Sequence, residues 1–109
     1  MKNNLNDMSS EEFRKNGYKL VDWIADYLTN IEKYPPLSQV NPGEILKRIP
    51  QTPPTSGEDI ENVLADVDKI LMDGITHWNH PGFMAYFNST SSGPGILAEL
   101  ITAALGANG

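Results

Sequence analysis

Cysteine is absent from the 109 residues, which excludes disulfides, thiolate metal sites and a cysteine nucleophile. Clustered basic charge is absent as well: eight Lys and Arg are scattered against 14 Asp and Glu, for a formal charge of −6. Phosphate contacts need clustered Lys and Arg, so nucleic acid is not an expected partner. No apolar run approaches the roughly 20 residues of a membrane span. The opening "MKNNLNDMSSEEF" lacks the apolar centre of a signal peptide. The expectation is a soluble cytoplasmic protein without a membrane partner. Charge of either sign nearly disappears between Gly74 and Gly109, where Glu99 is the single formally charged side chain. A segment so poor in charge is expected to be covered by another surface.

What is present is ordinary in bulk: 39% apolar and 20% charged residues, with eight prolines and nine glycines to interrupt the elements. The length allows one small domain, which would bury roughly two-thirds of its unfolded surface. Ser9 followed by Glu12 is a capping-box pattern and predicts a helix start. Phe13, Gly17, Leu20, Val21, Ile24, Tyr27, Leu28 and Ile31 then recur at three- and four-residue steps, one apolar stripe of a long helix. Arg14, Lys15, Lys19, Asp22 and Asp26 fall on its solvated side. Tyr34-Pro35-Pro36 stops the helix, since proline lacks an N–H and disfavours a helical predecessor.

An ordered, proline-rich strap follows, with a short helical turn after Asn41-Pro42-Gly43 carrying Ile45, Leu46 and Ile49. Ser56, with Asp59 three residues on, predicts a second helix with Ile60, Val63, Leu64, Val67, Ile70 and Leu71 on its apolar face and Gly74 at its end. A last helix is predicted from Gly93 or Pro94 to Leu105, apolar at Ile96, Leu97, Leu100, Ile101, Ala104 and Leu105. A helix so apolar on every side is usually buried, by its own domain or by a partner. Residues 1–8 are expected to be a flexible lead and 9–109 one helical unit. The fold class is mainly α, with three main helices, a Pro-rich strap and a short extended aromatic stretch.

The chemistry-bearing residues gather in "HPGFMAYFNSTSSGPG", residues 80–95. His77 and His80 have a spacing that suits a divalent metal on one side of a helical turn. No carboxylate follows Asp73 until Glu99, however, so the pair is read as structural or pocket-lining. Ser91 and Ser92 lack the G-x-S-x-G elbow of a hydrolase. The Asn88–Ser92 run before a Pro-containing helix start suits either helix capping or anion binding, and capping is the plainer reading. Trp78, Phe83, Tyr86 and Phe87 would singly be core residues. Crowded beside an uncharged polar run, they form the apolar surface with a few placed polar groups that a ligand site needs.

"THWNHPGFMAYFNSTSSGPGILAELITAALGANG", with "EDIENVLADVDKILMDGITHW" before it and "EEFRKNGYKLVDWIADYLTNIE" near the start, resembles the N-terminal portion of the pyridoxal-phosphate-dependent group II decarboxylases of the aromatic-L-amino-acid decarboxylase type. The resemblance runs from Ser9 onward. It implies a fold-type I PLP enzyme, a homodimer, and an amino acid substrate whose ring and polar substituents meet Trp78, Tyr86, Phe87 and Ser89. Asn88 stands where animal members tend to carry proline.

The resemblance also implies that the α/β cofactor domain, with the lysine that holds PLP and the groups that make it an electron sink, lies outside these residues. None of Lys2, Lys15, Lys19, Lys33, Lys47 and Lys69 sits in that lysine motif. No catalytic, cofactor-binding or metal-binding residue is therefore assigned within the chain, and the chain alone is expected to be an inactive part of a carboxy-lyase. The contrasting reading is a free-standing helical interaction module.

Overall fold

A computed structural model describes residues 4–5, 8–86 and 91–106. Asn4–Leu5 (β1) pairs antiparallel with Met8–Ser9 (β2), Asn4 opposite Ser9 and Leu5 opposite Met8. The lead expected to be flexible falls partly on residues 1–3 and 6–7, which lie outside the described ones. Helix α1, Ser10–Thr29, begins at the expected capping box. Ser9 Oγ accepts from the Glu12 N–H and Glu12 Oε2 accepts from the Ser9 N–H, each at 3.1 Å. The helix ends sooner than the prolines require. The N–H and the side-chain amide of Asn30 both donate to the Asp26 carbonyl, and a 3₁₀ turn, Ile31–Lys33, leads to Tyr34.

The strap is fastened to the third helix by polar contacts. Ser38 Oγ donates to the Asp73 carbonyl at 2.7 Å, and the Pro36 carbonyl accepts from the His77 N–H at 2.9 Å. Gly43, at φ +84° and ψ −9°, occupies the third position of the turn closed by the Glu44 N–H on the Asn41 carbonyl, a conformation glycine adopts without penalty. It opens α2, Glu44–Arg48. Arg48 then bridges Glu44 and Asp73, both at 2.9 Å, joining α2 to the segment beneath it.

Helix α3, Ile60–Asp66, starts three residues later than an N-cap at Ser56 suggests. Asp59 is the N-cap through its backbone, its carbonyl accepting from Asn62 and Val63, while Gly57 disfavours helix and Ile60 is the first apolar residue able to pack. The helix widens into a π-turn over Val67–Leu71, tightens into a 3₁₀ turn over Met72–Gly74, and stops at Gly74 as expected. Lys19 pairs with Glu61, and Trp23 Nε1 donates to Asp68 Oδ1 at 3.2 Å, so α1 and α3 lie side by side. Helix α4, Gly93–Leu105, has the predicted bounds; Ser92 Oγ accepts from the Gly95 N–H and Gly106 closes it at φ +62°.

The chain is mainly helical, yet it scarcely has a core. Among the described residues only Met72 and His77 are buried. The radius of gyration is 16.5 Å, against about 13 Å for a compact domain of this size. On α1, Phe13, Leu20 and Val21 of the predicted stripe are exposed, and on α4 Leu97, Leu100, Ile101 and Leu105 are each more than half exposed. These faces stand open to solvent.

Gly74 marks one place where packing is tight. A Cβ there would lie 2.7 Å from Ile45 Cγ1, whereas one at Gly57 would meet nothing within 4 Å. Gly74→Ala is expected to lower stability by about 1–3 kcal/mol, and Gly57→Ala to leave it unchanged or slightly raised. Urea midpoints followed by circular dichroism check the pair; equal midpoints would rule out the close approach.

Candidate functional site: an aromatic wall

Beyond Gly74 the chain makes successive turns rather than the extended stretch expected from its aromatics. The His80 N–H donates to the His77 carbonyl and the Phe83 N–H to the His80 carbonyl, both at 3.0 Å. His80 Nδ1 accepts from the Gly82 N–H at 2.8 Å, so Pro81-Gly82 folds back on the histidine before it. This reversal lays Phe83 against Trp78, ring centroids 5.0 Å apart and planes 25° apart. Tyr86 reaches the same indole with its ring nearly parallel, at 5.7 Å and 6°. It does so at φ +60°, the only non-glycine among the described residues with a positive φ. An aromatic residue held in that sparsely populated region is a feature concentrated at ligand sites.

Trp78 and Tyr86, predicted as substrate-contacting residues, are thus brought together in one stack. Phe87 and Ser89, predicted with them, lie outside the described residues. Phe83 was not among the residues that the resemblance assigned; the signal for it was the Pro81-Gly82 reversal, which returns the following ring toward the preceding one. Asn79 Oδ1 accepts from the Ser91 N–H at 2.8 Å and ties the two ends of the segment together. Trp78 and Tyr86 remain 45% and 84% exposed, so the stack offers apolar surface outward. Ser92 is spent on capping α4.

Behind the wall sits His77, 1% exposed. Its Nδ1 is 2.6 Å from the Tyr27 hydroxyl, and its ring packs on Tyr27 and Tyr34 at centroid distances of 5.6 and 4.7 Å. Burial holds its pKa below the ordinary histidine value, with His80 adding to the effect and a hydrogen bond to the Met72 carbonyl opposing it. Tyr27 is pushed the other way, above its usual phenol value, by burial and by Tyr34. Near pH 7, therefore, a neutral imidazole meets a protonated phenol, and the imidazole tautomer decides which of the two donates. Among the described residues no group of three or more His, Cys, Asp or Glu side chains converges as metal ligands.

Comparison with known proteins gives this wall its setting. The model of the pyridoxal-dependent decarboxylase conserved domain matches residues 42–109, more than half of the chain and all of the wall. The chain belongs to this family. A phenylacetaldehyde synthase from Petunia hybrida is 48% identical over 98 residues, covering 90% of the chain and 19% of the relative. The crystal structure of Catharanthus roseus tryptophan decarboxylase in complex with L-tryptophan superposes with a TM-score of 0.85 at 42% identity, over 92% of this chain and 21% of that one. That of Oryza sativa TDC with PLP and tryptamine gives 0.87 at 31% identity, over 94% and 22%. The chain therefore spans about a fifth of the length of the decarboxylase-family proteins it matches.

The family is pyridoxal-dependent, but the described residues do not by themselves fit a PLP site. Lys15, Lys33, Lys47 and Lys69 are exposed, Lys19 is paired with Glu61, and no lysine belongs to the segment that carries the wall. What the segment presents outward is the apolar surface of the Trp78–Tyr86 stack. Among the described residues no helix is long and apolar enough to cross a membrane.

Proposed function

We propose that the chain is the N-terminal, substrate-pocket portion of a PLP-dependent aromatic amino acid decarboxylase, a cytoplasmic carboxy-lyase. In it, Trp78, Tyr86, Phe87 and Ser89 face the amino acid, with Phe83 backing the indole. The observation that carries this reading is the exposed Trp78–Tyr86 stack within a segment matched by the family model. Flat rings held in a low-charge setting suit another aromatic ring, which gains stacking energy beyond its buried area. They also exclude water from the substrate side chain. The cofactor and the groups that hold it come from the α/β domain of a fold-type I enzyme. Residues 9–109 form the helical segment beside that domain.

The uncovered faces of α1 and α4 support assembly: in the complete enzyme they pack on its remaining four-fifths and on the second subunit of a homodimer. The petunia relative, a phenylacetaldehyde synthase, favours a second reading of the product, an aldehyde instead of an amine. One experiment tests both. The coding sequence is read past Gly109, and the encoded protein is assayed with PLP and L-tryptophan, L-tyrosine and L-phenylalanine for carbon dioxide, amine and aldehyde. Carbon dioxide release is expected. A reading frame without a lysine-bearing PLP domain, or an enzyme inert toward all three, would overturn the reading.

A further inference from the structure

His77 is the most deeply buried of the described side chains, and it is a titratable one. Its ring, as distinct from its backbone, meets three pieces of chain. The Tyr27 hydroxyl of α1 lies 2.6 Å from Nδ1, the Tyr34 ring beyond the 3₁₀ turn packs against it at 4.7 Å, and the Met72 carbonyl near the end of the third helix accepts a hydrogen bond from it. Tyr27 and Tyr34 also meet each other, at 5.5 Å, so the three rings form one closed cluster.

Among the described residues this cluster brings no carboxylate to the imidazole. The titratable groups that face it are Tyr27, Tyr34 and His80. Phenols and imidazoles supply no negative charge near neutral pH, and a charge on His80 opposes a second one. Next to Met72, the Asp73 carboxylate is engaged by Arg48 at 2.9 Å. From the strap comes Pro36, which takes the His77 N–H on its carbonyl and carries no charge. Asp26, Lys33 and Asp68 line a recess with the Tyr27 and Tyr34 rings, but His77 is no part of it. A proton on the closed imidazole would therefore make a buried cation without a counter-charge, a state relieved by releasing the ring to water.

We infer that the Tyr27–His77 contact is an acid-labile clasp, which holds the end of α1 to the end of the third helix while the imidazole is neutral and opens as the imidazole is protonated in water. The clasp does not depend on what the aromatic wall binds. Its direction follows from burial: His77 titrates below 6.5 when closed and at the ordinary 6.5 when open. The contribution of the clasp is complete above about pH 6.5 and is lost as pH falls from there toward the closed-state value. A fall from pH 7.5 to 5.5 thus enlarges the open fraction about three- to tenfold.

Amide hydrogen exchange by mass spectrometry on the complete, PLP-loaded enzyme tests this, with rates corrected for the chemical pH dependence of exchange. Peptides from residues 24–34 are expected to lose protection about three- to tenfold between pH 7.5 and 5.5, and peptides from α4 to keep theirs. In His77→Asn, which is neutral at both pH values and keeps a polar atom near the Nδ1 position, the loss should vanish. The same loss in His77→Asn, an equal loss in α4, or no loss in the unsubstituted enzyme would overturn the inference.

A second measurement needs no variant. Hydrogen exchange at the imidazole C2 carbon, followed from pH 4.5 to 8, should be slower at His77 than at the half-buried His80 and should reach its midpoint below 6.5. A midpoint at or above 6.5 overturns the clasp, even where the asparagine variant fails to fold.

Discussion

Trp78→Ala in the complete PLP-loaded enzyme is expected to raise KM for an aromatic amino acid about ten- to hundredfold while the absorbance of bound PLP persists. The indole is the common partner of Phe83 and Tyr86, so its removal takes away two stacking contacts at once and the largest flat surface of the wall. Each such contact is worth about 0.5–1.5 kcal/mol beyond the area it covers. Tyr86 then loses the ring that offsets its unfavourable backbone at φ +60°, and is expected to relax toward an ordinary conformation. Loss extends beyond one face of the pocket for that reason. Substrate titrations of initial rate, with PLP followed spectroscopically, check the result. Release of PLP at unchanged KM would place the indole at the cofactor and not at the substrate ring.

Features decided by near neighbours were legible in the sequence. Ser9 and Glu12 are three residues apart and cap each other, Ser92 caps α4 within one turn, and Gly74 and Gly106 stand where helices end. Local signals also misled: Ser56 and Asp59 have capping spacing, but the extended chain through Gly57 persists until Ile60 can pack, and α3 begins there. The π-turn at Val67–Leu71 has no pattern in the residues that form it. Trp78 and Tyr86 were legible as a wall from composition and resemblance. The way they stack was not, since it follows from the Pro81-Gly82 reversal and a strained tyrosine.

Least legible was the link of Tyr27 to His77. It joins residues 50 positions apart, and neither type is distinctive alone. The apolar stripes of α1 and α4 were legible as stripes, but periodicity identifies an apolar face without saying what covers it. Here the described elements leave much of both faces uncovered, and the enzyme proposed above would cover them with its remainder.

That division of labour leads to the other large effect. The 109 residues alone, supplied with PLP and an aromatic amino acid, are expected to release no carbon dioxide beyond PLP in buffer. Covalent retention of PLP at neutral pH requires a lysine whose amine is partly deprotonated, which burial or a neighbouring cation provides. Lys15, Lys33, Lys47 and Lys69 are exposed, and Lys19 is paired with Glu61. Nor can the wall act as a pocket by itself, because Tyr86 at 84% exposure has solvent where an opposing surface is needed. With Leu97, Leu100, Ile101 and Leu105 uncovered, the isolated chain is also expected to sediment above its 12.0 kDa monomer mass. A PLP-dependent burst of carbon dioxide from a monodisperse 12.0 kDa species would refute the assignment of catalysis to the remaining four-fifths of the enzyme.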